Sequence, residues 1–225
     1  MANLFAVRAF ELVCVVAWLV GLVWVWRSRN SLYAGVYFGS STLMVFDWIF
    51  NTSWFFKVIY DPQFIPLWTI QGVVQPVALV ANYAFFFGVP VLLFVRARDA
   101  MDRRFGGWGY LVVFLVGALL DVSFEIPMVK LGLWTYYQQP QYLIGGLPYS
   151  NVWYSGLLFV ACYGAARLAV RWAGSLKDRL PEREERWRGF GMGAAAIWSA
   201  FYASMSVQLI WYGLAQPWVQ GPRPF

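Results

Sequence analysis

Asp121 and Glu125 lie four residues apart in the apolar run FLVGALLDVSFEIPMV, so on a helix both carboxyls project from one face about one turn apart. A carboxylate near a bilayer centre costs roughly 2.5–3.5 kcal/mol on insertion scales, and such residues usually face a bundle interior or a cavity. Asp47 is a third carboxyl of this kind, in LMVFDWIFNTSWFF, with Asn51 four residues later on the same face. One member of a desolvated carboxyl pair can keep its proton near neutral pH and serve as a general acid. Aromatic walls can stabilise a carbocation through their ring quadrupoles, and an apolar cavity excludes the water that would quench it. Protonation of an alkene or an epoxide is therefore within reach of Asp47, Asp121 and Glu125. Asn82 and Gln208 can orient a carboxyl or a water, Tyr83, Tyr136 and Tyr202 can add hydroxyls, and Trp48, Trp134 and Trp153 can supply walls. The plainer reading is helix packing, with Glu125 at the interface beside Lys130.

These residues need membrane helices to hold them. The 225-residue chain is 60% hydrophobic, 20% aromatic and only 12% charged, against roughly a quarter charged in soluble domains. The sequence predicts an all-α integral membrane protein, one domain over residues 1–225. Six apolar segments are long enough to cross a core of about 30 Å, at about 9–26, 33–56, 73–95, 108–129, 151–170 and 189–214. The segment 56–73 is broken by prolines and rich in aromatics, and reads as interfacial or re-entrant. If it crosses, the bundle has seven helices. Pro76 and Pro90 divide the third segment and can kink it.

Basic residues alternate between successive loops: Arg27 and Arg29, then Lys57, then Arg96, Arg98, Arg103 and Arg104, then Lys130, then the run from Arg171 to Arg188. The positive-inside rule puts the first, third and fifth loops in the cytoplasm and both termini outside, in a multi-pass protein of a bacterial cytoplasmic membrane. The first apolar run lacks a small-residue cleavage pattern and reads as a retained anchor. The net charge of +6 sits in these loops, so orientation explains it, and no nucleic-acid partner is expected. With no histidine and two cysteines in apolar runs, disulfide scaffolds, zinc sites and histidine-ligated iron are disfavoured, and no metal or cofactor is expected. The outward loop LGLWTYYQQPQYLIGGLPYSNVW, dense in Gly, Pro and aromatics, suits a cap over the mouth of a cavity.

Glu125, Gly132, Trp134, Tyr136, Gly146, Leu147, Pro148 and Trp153 resemble the Glu…Gly-x-Trp/Tyr-x-Tyr…Gly-x-Pro…Trp pattern of carotenoid hydratase-like membrane proteins. Those proteins add water to isoprenoid double bonds, and the resemblance implies Glu125 as the acid. Chain size and an acid on the second helix also resemble small membrane-bound meroterpenoid cyclases, whose second and last helices carry acids that protonate a prenyl chain or its epoxide. Asp47 matches the first of these. The last helix carries Gln208 instead of an acid, so Asp121 or Glu125 would take the second role.

The sequence thus points to a membrane enzyme acting on a hydrophobic terpenoid or isoprenoid, with hydration, cyclisation or isomerisation as outcomes. The competing classes are a small transporter or lipid-binding protein with proton- or cation-coupled carboxyls, and a subunit of a larger membrane complex.

Overall fold

The computed structural model describes residues 2–46, 58–70, 72–137, 143–176 and 181–219, and 80% of it is helical. Helix α1 (Leu4–Ser28) starts at Asn3, whose side chain accepts the Phe5 amide. It ends at Arg29, which adopts a left-handed conformation (φ 52°). The chain reverses at once, because Asn30 caps α2 (Ser31–Thr42) by accepting the Leu32 amide at 3.0 Å. A 3-10 turn, Leu43–Phe46, continues α2. The two helices lie antiparallel, with the Tyr37 hydroxyl donating to the Trp18 carbonyl and the Trp18 indole N–H donating to Ser41.

The next helical stretch, Ala78–Lys130, is 53 residues long. As a straight rod it would measure about 80 Å, far beyond a hydrocarbon core of about 30 Å. It folds back instead. Its first limb is α3 (Ala78–Tyr83), a π-helical turn (Ala84–Gly88) and α4 (Val89–Phe105); its second is α5 (Gly109–Lys130). Gly106 makes the reversal at φ +54°. Phe86 on the first limb faces Phe124 on the second (5.0 Å between ring centroids), and Tyr163 touches both Phe94 and Tyr110. The π-turn has a covalent cause. Pro90 offers no amide to the turn before it, and the Val89 amide reaches Ala84, five residues back.

Helices α6 (Tyr149–Leu176) and α7 (Glu182–Val219) complete the bundle. Small residues let backbones meet. Gly35 and Gly39 on α2 form one Gly-x-x-x-Gly face and Gly189 and Gly193 on α7 another. A Cβ at Gly35 would run into the Phe190 carbonyl, and one at Gly193 into the Leu32 carbonyl. Between α5 and α6, a Cβ at Gly117 would sit 2.5 Å from the Phe159 ring and one at Gly156 2.7 Å from Phe114.

Among the described residues, four helical stretches, Leu4–Ser28, Ala78–Lys130, Tyr149–Ser175 and Glu182–Gln208, are long and apolar enough to cross a membrane. The chain is an all-α protein of membrane character. The structure shifts two of the segments expected from the sequence. Helix begins at Ala78 rather than at residue 73, because Val73–Pro76 is a strand. The second segment is helical through Phe46, and its remainder lies outside the described residues. Among the described residues of 56–73 there is no helix, only β1 (Val58–Tyr60) and β2 (Pro66–Ile70), each shorter than the roughly nine residues a strand needs to span.

These strands build a cap over one end of the bundle. β2 pairs antiparallel with β3 (Val73–Pro76), β1 with β4 (Trp134–Tyr136), and β5 (Leu143–Ile144) with β6 (Leu147–Pro148). The cap is tied to the start of α1. Asp61 accepts the Ala2 amide at 2.7 Å and the Gln63 amide at 2.9 Å, and Glu11, itself paired with Arg8, accepts the Ile65 amide at 2.7 Å. Burial would raise the Asp61 carboxyl, but the hydrogen bonds from Gln63 and Ala2 outweigh it and hold it below the ordinary carboxylate value.

The other end gathers the basic loops. Ser28, Arg29, Val170, Ala173, Glu182 and Arg186 line one depression, which brings together the ends of α1 and α6 and the start of α7. Trp26, Trp108, Trp172 and Trp187 stand 81, 72, 62 and 67% exposed beside these loops, as an interfacial belt would.

Candidate active site

The site is made by the way α5 stops. Gly132 adopts φ +77°, its amide reaches the Val129 carbonyl (2.9 Å), and the Leu133 amide reaches Met128 (3.1 Å), the paired bonds of a Schellman ending. The chain turns sharply and runs back as β4 across the end of its own helix. Strand alternation then puts Trp134 and Tyr136 on one buried face with Thr135 outward. The register sets Tyr136 opposite Val58 and Trp134 opposite Tyr60.

That face meets Glu125. The Trp134 indole N–H donates to Glu125 Oε2 at 2.7 Å, and the Tyr136 hydroxyl donates to the same oxygen at 2.8 Å. Asn151 donates to the Tyr136 oxygen at 3.4 Å. Burial, and then the Glu125 carboxyl, hold the Tyr136 phenol well above its ordinary value, so it keeps the proton it donates. Lys130 is exposed in the last turn of α5.

One turn deeper, Asp121 is 2% exposed and accepts the Ser155 hydroxyl through Oδ1 at 2.7 Å. The Gly117–Phe159 contact brings α6 close enough for that bond. Asp121 Oδ2 has no hydrogen-bond partner among the described residues, and neither has Asn82 Oδ1. An unmet buried acceptor of this kind costs about 1–3 kcal/mol unless something fills its place.

Both carboxyls, Asn82, Tyr83, Trp134 and Tyr136 line one cavity of about 80 Å³, walled by Phe86, Phe87 and Phe201. Phe86 packs on Phe124 and Phe159, and Tyr83 stacks on Phe87 at 5.5 Å. No basic residue lines the cavity among the described residues. Nor do three His, Cys, Asp or Glu side chains cluster as metal ligands among them.

Of the sequence candidates, Asp121, Glu125, Asn82, Tyr83, Trp134 and Tyr136 converge here. Three do not. Trp153 packs edge-on against Trp211 at 6.0 Å, outside the described lining. Tyr202 is 43% exposed on the outer face of α7, beside Trp198. Gln208 is buried on α7 with neither amide atom hydrogen-bonded among the described residues, but it is not part of the described lining. Asp47, Trp48 and Asn51 lie outside the described residues. Sequence reasoning missed Tyr60, Asn151, Tyr154 and Ser155, all of which line the cavity. Asn151 and Ser155 carried a usable signal, two polar residues at helical spacing in the first turns of α6.

The fold and site define a helical bundle of membrane character with a carboxyl-bearing aromatic cavity lined in part by a β-cap. No protein-family model, curated protein or solved structure matches the chain.

Proposed function

We propose that the protein is a membrane enzyme that protonates a double bond or epoxide of an isoprenoid lipid. The observation that carries this reading is the pairing of Asp121 and Glu125 in one aromatic-walled cavity with no lining cation among the described residues. The hydrogen bonds support a division of labour. Glu125 already accepts two neutral donors, a shell that suits a carboxylate. Asp121 has one unmet oxygen, which suits a carboxylic acid whose O–H points at substrate. Asp121 gives its proton either to an alkene carbon, which takes it with the π pair, or to a lone pair of the epoxide oxygen, after which the C–O bond breaks with its electrons going to oxygen. In both cases a carbocation forms and Asp121 is left as the carboxylate. Phe86, Phe87 and Trp134 face that charge. Capture of water with proton release, or loss of an adjacent proton, ends the reaction and returns a proton to the site.

The volume sharpens the substrate. At about half the roughly 150 Å³ of an apolar cavity that takes up benzene, the chamber is of a size that suits one reacting unit of a chain. The reading therefore favours hydration or isomerisation at a chain end over multi-ring closure. The positive-inside rule favours the basic end in the cytoplasm, and with it a cavity in the outer half of the membrane.

The test is turnover of linear prenyl chains and their terminal epoxides by the purified protein, with Asp121→Asn and Glu125→Gln beside it. A new product from the parent protein, lost in Asp121→Asn, supports the reading. The same small volume, with two carboxyls and Asn82 around it, favours a second reading as a proton- or cation-handling site. No product from any chain, together with proton flux into proteoliposomes that Asp121→Asn abolishes, would replace the enzyme with that transporter.

A further inference from the structure

Far from the carboxyls, the basic end holds a groove of about 850 Å³ bounded by α1, the α1–α2 turn, α2 and the start of α7. Its rim is Arg27, Arg29 and Arg186. Below the rim the walls are Leu22 and Val25, one to two turns earlier on α1, and Phe38, two turns into α2. The groove therefore changes from cationic to apolar along the helix axes, and its apolar part opens onto the lipid-facing side of Phe38 (36% exposed). Trp26, 81% exposed, marks headgroup depth at the rim.

The rim's charge is unspent. Neither Arg27 nor Arg29 pairs with a carboxylate among the described residues. Arg186 meets Glu182 at 3.3 Å, but both side chains are well exposed and the contact is weak. Arg29 is also held in place by the fold. Its left-handed backbone is fixed between the end of α1 and the Asn30 cap of α2, with its amide bonded to the Trp26 carbonyl at 3.2 Å.

We propose that this groove binds an anionic phospholipid, with its phosphate on Arg27 and Arg29 and an acyl chain against Leu22 and Phe38. Guanidinium groups suit phosphate oxygens, and the apolar continuation distinguishes a lipid from a soluble anion. A zwitterionic lipid carries an ammonium that the three-arginine rim disfavours. The site does not depend on the chemistry at the carboxyl end.

Native mass spectrometry of the detergent-purified protein, offered phosphatidylglycerol and phosphatidylcholine at equal concentration, tests this. The parent protein should retain phosphatidylglycerol over phosphatidylcholine by roughly thirtyfold, the scale expected for two arginines near a headgroup at about 1 kcal/mol each. The double variant Arg27→Gln/Arg29→Asn should bring the two lipids near parity. Asn tolerates the positive φ at residue 29. If that variant does not purify, Arg27→Gln alone should lose roughly a third to a half of the preference on a logarithmic scale. Arg103→Gln/Arg104→Gln, at the same end but outside the groove, should keep the preference. Equal retention of both lipids by the parent, an unchanged preference in the groove variants, or an equal loss in the Arg103/Arg104 variant would overturn the proposal. Displacement of phosphatidylglycerol by inorganic phosphate at equal concentration would assign the rim to a free anion instead.

Discussion

The bundle's two ends handle charge in opposite ways. At the basic end Arg27, Arg29, Arg96, Arg103, Arg104, Arg171, Arg186 and Arg188 are exposed, as are Trp26, Trp108, Trp172 and Trp187, where water and headgroups solvate them. At the capped end Asp121, Asp61 and Glu11 are 2, 5 and 8% exposed, and each is held by named donors. Exposed charge costs little and needs no function beyond orientation. Buried charge is expensive, so what each carboxyl does at the capped end matters. Asp61 and Glu11 are used up in fastening the cap to α1. Asp121 differs from both in keeping, among the described residues, an unmet oxygen in a cavity, and the proposed reactive role rests on this contrast.

The contrast can be broken first at Asp121. Asp121→Asn keeps the shape and the Ser155 contact, and should lower turnover by roughly 100- to 10,000-fold, the range for loss of a general acid, with binding of the chain retained. A packing role predicts the opposite, lost stability with activity spared in the folded fraction. Next is the seam that both ends share. Gly35→Val drives a side chain into the Phe190 backbone, and should cost about 3 kcal/mol, the upper range for overpacking, seen as a lowered midpoint of thermal unfolding. Tyr136→Phe removes a donor to Glu125 and should slow turnover roughly 10- to 150-fold, since a hydrogen bond to a charged group contributes about 1.5–3 kcal/mol. At the basic end, Arg167→Lys replaces a bidentate clamp on Asp102 (2.9 and 2.6 Å) that also lies over the Tyr110 and Tyr163 rings. It should lower the melting temperature by about 2–4 °C and leave turnover unchanged.

The smallest effect is at the cap. Asp61's folded value is lowered, so its stabilisation is fully present above the unfolded value of about 3.9 and is lost as pH falls from there through the folded one. Hydrogen exchange at Asp61–Phe64 should accelerate over that acid range, and Asp61→Asn should remove the dependence.

The helices and their buried carboxyls were legible because both signals are local. An apolar run declares a membrane helix, and an Asp four residues before a Glu declares a shared face. The Gly, Trp and Tyr residues after Glu125 also pointed to a cap, and Trp134 and Tyr136 do fold back onto it. The cap's strands were hidden, because β1 and β4 are three residues each and pair across more than seventy positions, a separation no local pattern encodes. Ser155 was missed for the same reason, since its role depends on Gly117 admitting Phe159. Trp153 and Tyr202 were misjudged because an aromatic's type does not say whether it faces cavity, neighbour or lipid. The Gly-x-x-x-Gly pairs of α2 and α7 were readable in the chain, but which helices they join needed the fold.

The most direct measurement of the central claim is turnover in D₂O, with the product's isotopic pattern read by mass spectrometry and NMR. Proton transfer from Asp121 predicts one solvent-derived deuterium on carbon at the protonated position for an alkene substrate, absent from Asp121→Asn reactions. A product formed at the parent rate without carbon-bound deuterium, or with the same label and rate in Asp121→Asn, would contradict carboxyl-initiated protonation at this site.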